Sequence, residues 1–203
     1  MVLSSLFPEK TWTLEQMNDL CGYVPGKYTW PYKPILDLSD MGLDLIIYST
    51  FDTNRFIESP ESYLTERYGP EGCKDNLENS DIQTILSQAK KYLTYKEKEK
   101  FLGVSENHTP SISKDLLNKG FLLILWVNSK KLNKKEGFSG HFITVHDYKD
   151  GSFIVHDCGG NDAEGNPVDQ FPNRVISESD LMEACSPREI GKTNIMIAIR
   201  NRK

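Results

Sequence analysis

The hydrophobic pattern divides the chain into a helical first half and a β-rich second half. In the first half, apolar residues recur at helical spacing between capping and stop residues. We expect helices over 13–21, 32–41, 60–69, 80–93 and 113–120. The run LDLIIYS (43–49) is short and mostly apolar, which predicts a buried strand inside this helical half.

The second half changes to strand patterns. FLLILWV (121–127) is a continuous apolar run typical of a central strand. After a lysine-rich loop come HFITVHDY and SFIVHDC, and the last predicted strand is 194–200. A capping box at Ser177 to Asp180 predicts a short helix before it. Helices followed by mainly antiparallel strands predict an α+β fold, and 203 residues predict a single domain over 1–203.

Composition and charge narrow the classes of partner. The 24 basic and 29 acidic residues give a net charge of −5, which predicts neither nucleic acid nor an anionic membrane as partner. No apolar run reaches the ~18 residues that a membrane span needs. The start MVLSSLFP is too short for a signal peptide, and the four cysteines are widely spaced without a CxxC pair. We therefore expect no membrane association and a reducing, cytoplasmic location.

The hairpin SGHFITVHDYKDGSFIVHDCGG holds the strongest candidate chemistry. Side chains alternate along a strand, so His141 and Asp157 share a face only if the loop between their strands has an odd number of residues. A three-residue loop, 149–151, meets that condition and ends in glycine, which favours the left-handed position of such loops. Asp157 then lies opposite Ile143 and diagonal to His141, within hydrogen-bond reach. A carboxylate there orients the imidazole of a nucleophile–base–orienter triad.

Two other interpretations compete for the same hairpin. The pair can be ordinary polar residues at the end of a sheet. A metal site is the second rival, because His146 and His156 lie near Asp147 and Cys158. In the predicted register, however, these ligands come from both faces of one ribbon and do not converge, and no HxxxH or cysteine pair accompanies them. We therefore expect neither a metal nor another cofactor.

A histidine base needs a nucleophile, and no cysteine of the sequence qualifies. Gln16 shortly before Cys21-Gly22 resembles the oxyanion glutamine and nucleophile of papain-like enzymes, in which the cysteine begins a helix. Cys21 instead ends one, where the helix dipole opposes a thiolate, so we interpret it as structural. Cys158 is expected to point away from His141, and Cys73 and Cys185 have no catalytic context.

The order of these segments resembles a known family. Gly140-His141-Phe142-Ile143, followed by a turn and a strand ending in His156-Asp157, is similar to the histidine and aspartate motifs of papain-like C39 peptidases. The closer likeness is to their relatives, the guanylyl-cyclase-domain-containing (papain-like) proteins. Nearly the whole chain follows the order of segments in that family. These segments are Tyr28-Thr29-Trp30-Pro31 before a helix, Gly42 before a strand, the helix at 83–91 and the segment 113–129.

The resemblance implies a papain-like, C39-type fold and thiol chemistry on an acyl centre. His141 would be the general base and acid, Asp157 its orienter, and Gly140 a substrate-binding neighbour. In the family the nucleophile lies in a Gln…Asp-Cys-Gly-Leu-Ala-Cys segment leading into a helix that ends Met-Val-Leu, and this chain begins Met1-Val2-Leu3. The expectation is therefore a chain that starts just after the nucleophile and is inactive as given, with the first helix pointing at His141.

Three explanations of that start stay open. The chain can be a truncated or mis-started enzyme, a pseudoenzyme that binds a peptide or a protein, or a nucleotide-related protein of the kind that the family name suggests. Truncation is favoured because the apolar start would continue a helix upstream. No phosphate loop or paired-carboxylate motif supports the nucleotide reading. Trp30 and Tyr28 are expected either to line a substrate cleft or to serve as ordinary core aromatics.

Overall fold

The protein has an α+β fold in the computed structural model, which describes residues 2–105, 109–157, 159, 171–186 and 194–202. These residues form nine helices: α1 (Val2–Leu6), α2 (Leu14–Cys21), α3 (Tyr32–Asp40), α4 (Thr53–Glu58), α5 (Pro60–Glu78), α6 (Ile82–Glu97), α7 (Pro110–Asn118), α8 (Ser129–Leu132) and α9 (Glu178–Ala184). They also form seven strands: β1 (Leu43–Ser49), β2 (Gly103–Ser105), β3 (Leu122–Asn128), β4 (Gly140–Lys149), β5 (Ser152–Asp157), β6 (Phe171–Ser177) and β7 (Ile195–Asn201).

The strands form one sheet in the order β2-β1-β7-β3-β4-β5-β6. The pairings of β3 with β4 and β7, and of β5 with β4 and β6, are all antiparallel. Among the described residues, β6 therefore lies at one edge of the sheet, next to the hairpin that carries His141 and Asp157. The expectation of an α+β fold is confirmed.

The chain divides into two compact units. The first unit is Met1–Ile46, Phe51–Val104 and Asn201–Lys203, and the second is Ile47–Thr50 and Ser105–Arg200. An aromatic cluster fills much of the first unit, with ring centroids 4.9–6.5 Å apart among Trp30, Tyr32, Phe51, Phe56 and Tyr63. Phe56 is fully buried in it, so this cluster is part of the core of the first unit.

The core of the second unit lies on one face of β3, β4 and β5. Inward side chains alternate along these strands as the sequence pattern predicts, and they are fully or almost fully buried: Leu123, Leu125, Val127, Ile143, Val145, Phe153 and Val155. Leu181 of α9 is also fully buried, and Ser113 of α7 donates a hydrogen bond to the Met196 sulfur of β7. His141 and Asp157 continue the inward rows of β4 and β5 to the end of the hairpin away from its turn.

Most predicted elements are present, with boundaries moved by a few residues. Strand β1 has the predicted bounds, and the Thr13–Gln16 capping box forms with both of its hydrogen bonds. Asp81, not Ser80, caps α6, because the Asp81 side chain accepts from the Thr84 backbone. Gly69 interrupts α5 with φ 80°, as predicted, but a second helical segment follows it directly from Pro70.

Four short elements were not predicted from the sequence. Helices α4 and α8 and strand β2 have six residues or fewer, too short for a periodic pattern to show. Strand β6 contains Pro172, and Asn173 has a positive φ of 56°, so its sequence FPNRVIS does not alternate cleanly. The omission of β6 matters most, because this strand contributes a residue to the site described next.

Candidate functional site

The β4–β5 hairpin brings His141 and Asp157 to one face by a different route from the one expected. The turn has two residues, Asp150 and Gly151, both with positive φ, because Lys149 pairs with Ser152. A two-residue turn alone would put the two side chains on opposite faces. A β-bulge at His146 adds one residue to β4 and restores the register, in which Val145 pairs with Val155. The predicted three-residue loop is wrong, whereas the shared face that it implied is present.

His141 and Asp157 form a direct hydrogen bond at the end of this hairpin. The distance between His141 Nε2 and Asp157 Oδ1 is 2.8 Å. The Asp157 side chain is 6% exposed and that of His141 is 21% exposed, so the carboxylate lies inside while the imidazole reaches the surface. Because an ionised carboxylate only accepts, Nε2 carries the proton and Nδ1 is the basic nitrogen of the neutral ring.

Two further donors hold the Asp157 carboxylate. The Gly159 backbone N–H donates to Oδ1 at 3.1 Å, and Arg174 Nη1 donates to Oδ2 at 3.3 Å. The hydrogen bond from His141 is the main cause that lowers the pKa of Asp157, with the Gly159 N–H and the Arg174 charge adding to it against the opposing effect of burial. Asp157 therefore stays ionised, as an orienter of a histidine base must.

Arg174 is the residue of this site that the sequence did not reveal. It pairs with Val155 across the β5–β6 ladder, so its side chain lies on the inward face, diagonal to Asp157. A bulge in β6 at Pro172 and Asn173 shifts the register between Val155 and Asp157. The other guanidinium nitrogen, Nη2, donates to the Leu132 carbonyl at 3.0 Å. A strand with so irregular a sequence gave no signal that would have placed an arginine here.

The chain that enters β4 is fixed by a buried asparagine. Asn128 Oδ1 accepts from the backbone N–H groups of Lys130, Lys131 and Ser139, while its amide donates to the Gly137 carbonyl. The Ser129 backbone N–H and hydroxyl both donate to the Ser139 carbonyl. The backbone just before His141 is therefore held at several points, which restricts where the imidazole can lie.

Gly140 has a packing role in this arrangement. The Trp126 ring covers it so closely that a Cβ at position 140 would collide with the indole carbons. Trp126 in turn packs on Phe142 with ring centroids 4.7 Å apart. The structure therefore gives a steric reason for glycine beside His141, and a substrate-binding role for Gly140 stays a prediction.

None of the three cysteines that the structure describes shows an activated thiol. Cys21 ends α2, and burial raises its pKa although Lys33 opposes this. Burial raises the pKa of Cys185 to about 12. Cys73 is buried, and its thiol donates to the Glu61 carbonyl at 3.4 Å. A catalytic cysteine needs the opposite, a depressed pKa at an accessible position. Cys158, which we expected to point away from His141, lies outside the described residues.

His146 and His156 are the other two histidines of the β4–β5 hairpin. His146 is the extra residue of the β4 bulge, and His156 pairs with Thr144 on the outward face. Burial lowers the pKa of His156, and His146 contributes to the same shift. Within the described part of the chain, no group of three or more His, Cys, Asp or Glu side chains could hold a metal ion.

Tyr28 and Trp30 belong to the first unit and have partners there. The Tyr28 hydroxyl donates to Asp75 at 2.9 Å, and the ring is half exposed. The Trp30 indole N–H donates to Ser80 at 3.0 Å, and its ring packs 5.2 Å from that of Phe56. These contacts explain both residues as parts of the first unit. Their proposed contribution to a substrate cleft stays a prediction.

Comparison with known proteins adds no assignment. No protein-family model matches the sequence, and no curated protein is significantly similar to it. No helix among the described residues is both long enough and apolar enough to cross a bilayer. The geometry of the His141–Asp157–Arg174 cluster is therefore the observation on which a functional proposal must rest.

Proposed function

We propose that this chain is a cysteine-peptidase-like thiol hydrolase domain with a papain-like, C39-type fold. His141 is its general base and acid, Asp157 is the orienter, and the substrate is a peptide or a protein. The observation that carries the proposal is the hydrogen bond between His141 Nε2 and Asp157 Oδ1 at 2.8 Å, in which a buried carboxylate holds a partly exposed imidazole. The α+β fold and the order of the sequence motifs support it.

The chemistry follows from which nitrogen Asp157 holds. With the Nε2 proton bonded to Asp157, Nδ1 accepts the proton of a cysteine thiol, and Asp157 stabilises the imidazolium that forms. The thiolate attacks the acyl carbon, and the tetrahedral intermediate collapses as Nδ1–H protonates the leaving amine. Water, deprotonated by Nδ1, then hydrolyses the thioester and regenerates the thiol. The two hydrogen bonds to Asp157 from Gly159 and Arg174 keep the carboxylate in place through these steps.

The thiol must come from outside the three described cysteines. Cys21 and Cys185 have raised pKa values, and Cys73 is buried with a hydrogen bond to a backbone carbonyl. In this proposal the nucleophile belongs to a Gln…Asp-Cys-Gly-Leu-Ala-Cys segment leading into a helix, as in the family that the chain resembles, and the 203 residues do not contain that segment. The 203-residue chain by itself is then inactive as a hydrolase.

A binding module is the second candidate. Such a protein would keep the base and the orienter but bind its peptide or protein ligand without cleaving it, which agrees with the helix-end position of Cys21 and the burial of Cys73 and Cys185. The two candidates differ in one respect that can be tested, namely whether a cysteine reacts in a way that depends on His141.

The test is labelling with a peptidyl vinyl sulfone, which reacts with activated thiols. The 203-residue chain should not be labelled at neutral pH, and labelling at any of its four cysteines would contradict the assignment. The coding sequence upstream of Met1 should then be read for an in-frame Gln…Cys-Gly segment, and the longer product labelled in the same way. We expect labelling at the cysteine of that segment, and we expect the rate of labelling to fall about 100-fold or more in His141→Ala.

His146→Ala is the matched control, because it removes a second imidazole from the same strand without touching Asp157. It should label like the parent protein. The hydrolase proposal fails if the longer product labels equally well in His141→Ala, or if no in-frame Gln…Cys-Gly segment is encoded upstream of Met1. The second of these results would leave the binding module as the function that the site supports.

A further inference from the structure

Arg174 connects the Asp157 carboxylate to a part of the backbone that also fixes His141. Its Nη1 donates to Asp157 Oδ2 at 3.3 Å and its Nη2 to the Leu132 carbonyl at 3.0 Å. Leu132 is the last residue of α8, a helix capped at its other end by Asn128. Asn128 also accepts from the Ser139 backbone N–H at 3.1 Å, two residues before His141.

These contacts form a closed ring. It runs from Arg174 through Leu132 and α8 to Asn128, then through Ser139 to His141, and returns through Asp157 to Arg174. Within the ring, a fork-shaped guanidinium fixes the distance between the carboxylate and the α8 carbonyl, which a single-point donor could not do.

We propose that Arg174 is a positioning residue of the His141–Asp157 pair, which fixes the plane of the Asp157 carboxylate so that one oxygen points at His141 Nε2. This inference rests on the proposed function, because it concerns how the same base is oriented. The two oxygens divide the donors accordingly: Oδ1 accepts from His141 and Gly159, and Oδ2 accepts from Arg174. A carboxylate turns about its last side-chain bond over a broad range of angles, and the Arg174 donor on one oxygen restricts that range so that the other oxygen stays directed at the imidazole.

An arginine in a merely structural ion pair would act differently. Its removal would lower the free energy of unfolding without altering the hydrogen bond of His141, because Gly159 and the strand register would still hold Asp157. A positioning arginine, by contrast, holds the carboxylate at the angle at which an oxygen accepts from Nε2, and it therefore keeps the proton on that ring nitrogen. The readout must therefore be the imidazole itself, and not stability.

The experiment compares Arg174→Gln and Arg174→Lys with Arg200→Gln in the 203-residue chain. Arg200 is the matched control. Like Arg174, it donates to a backbone carbonyl, that of Lys119 at 3.1 Å, and its guanidinium lies over the Phe121 ring as that of Arg174 lies over Phe171. Arg200 lies on β7, and strands β3 and β4 lie between β7 and β5 in the sheet. The ¹⁵N and ¹H resonances of the His141 ring give its tautomer and the hydrogen bond at Nε2, and ¹³C resonances of the carboxyl groups follow Asp157.

In the parent and in Arg200→Gln we expect a single Nε2–H tautomer of His141 with a slowly exchanging Nε2 proton. In Arg174→Gln that proton signal is lost and both tautomers are populated, while the pKa of Asp157 rises because a nearby positive charge is gone. Arg174→Lys keeps the charge without the fork, so it should hold the pKa of Asp157 low and yet not restore the single tautomer.

A folded Arg174→Gln protein with an unchanged His141 signal would overturn the inference. If Arg174→Gln does not fold, an unchanged signal in Arg174→Lys overturns it equally. None of these readouts needs a reactive cysteine, so they remain interpretable if the hydrolase proposal fails. Conversely, thiol labelling that depends on His141, together with an unaltered His141 signal in the Arg174 variants, would refute the role of Arg174 and leave the hydrolase proposal in place.

Discussion

The two ends of the β4–β5 hairpin each hold a carboxylate between a cation and a second donor, yet only one of them is buried. At the turn end, Glu178 Oε2 accepts from Tyr148 at 2.7 Å and from Lys114 at 3.0 Å. At the other end, Asp157 accepts from His141, Gly159 and Arg174. The Glu178 side chain is 34% exposed, whereas that of Asp157 is 6% exposed.

Burial gives the two carboxylates different consequences. Water screens and partly replaces the partners of Glu178, so its contacts contribute little to stability. Water cannot replace the partners of Asp157, because its side chain is buried. Removing one of those partners would leave a buried charge unpaired, which costs stability. At the turn end the stability comes instead from apolar packing, because the ring centroid of Tyr148 lies 4.7 Å from that of the fully buried Phe153. The end of the hairpin with His141 and Asp157 is thus the one at which a buried charge depends on its partners.

Phe153→Ala should have the largest effect, because it empties a fully buried position at the turn end. We expect the free energy of unfolding to fall by about 4 kcal/mol, measured by urea denaturation. Ile154→Ala, on the outward face of the same strand, is the control and should cost clearly less. Equal losses in the two variants would show that apolar packing does not dominate at this end.

Asp157→Ala should have the next largest effect. It leaves Arg174 and His141 without their shared acceptor, and we expect a loss of about 3 kcal/mol in the free energy of unfolding. Glu178→Ala removes a carboxylate with two partners of similar kind and should cost much less. If the two alanine variants have the same denaturation midpoint, the contrast between the ends of the hairpin is wrong.

Gly140→Ala should affect only the His141 end. Because the new methyl group would collide with Trp126, we expect a loss of about 2 kcal/mol together with a shift of the His141 resonances. Trp126→Leu should make room for the methyl group, so the double variant should be more stable than the sum of the two single changes predicts. Strictly additive effects would mean that the indole does not restrict position 140.

The pH dependence of stability distinguishes the two carboxylates further. The pKa of Asp157 is lowered from 3.8 in the folded protein, so the folded state binds its proton less readily than the unfolded state. Its contribution is complete above the ordinary pKa and is lost as the pH falls from about 4 towards the lower folded value. Asp157→Asn should flatten this part of the stability–pH curve, followed by urea denaturation.

Glu178→Gln is the control for the acid range, because the pKa of Glu178 is also lowered but the side chain is far more exposed. It should alter the curve less than Asp157→Asn does. A larger change in Glu178→Gln, or an Asp157→Asn curve that follows the parent, would contradict the assignment of the acid-sensitive interaction to the buried carboxylate.

The sequence predicted the pairing of His141 with Asp157 because strand periodicity constrains side-chain faces strongly. It did not predict how that pairing arises. The turn and the bulge at His146 each change the register by one residue, and their effects cancel. A bulge has no reliable sequence signal, so a three-residue loop was the simpler interpretation of the same constraint.

Arg174 escaped prediction for a related reason. Its strand has a proline and a residue with positive φ, and it depends on pairing with β5 more than on any pattern of its own. The helices of the first half are easier to predict, because caps such as Thr13 and breaks such as Gly69 depend on residues close by in the sequence. What could not be read from the sequence is what depends on contacts between distant segments.

The most direct test of the central claim is the tautomer of His141, read from the ¹⁵N resonances of its ring at a pH at which the imidazole is neutral. The account predicts that Nε2 carries the proton, that this proton exchanges slowly, and that Asp157→Asn accelerates its exchange. A ring protonated at Nδ1, or a freely exchanging Nε2 proton in the parent protein, would contradict the assignment of His141 and Asp157 as base and orienter.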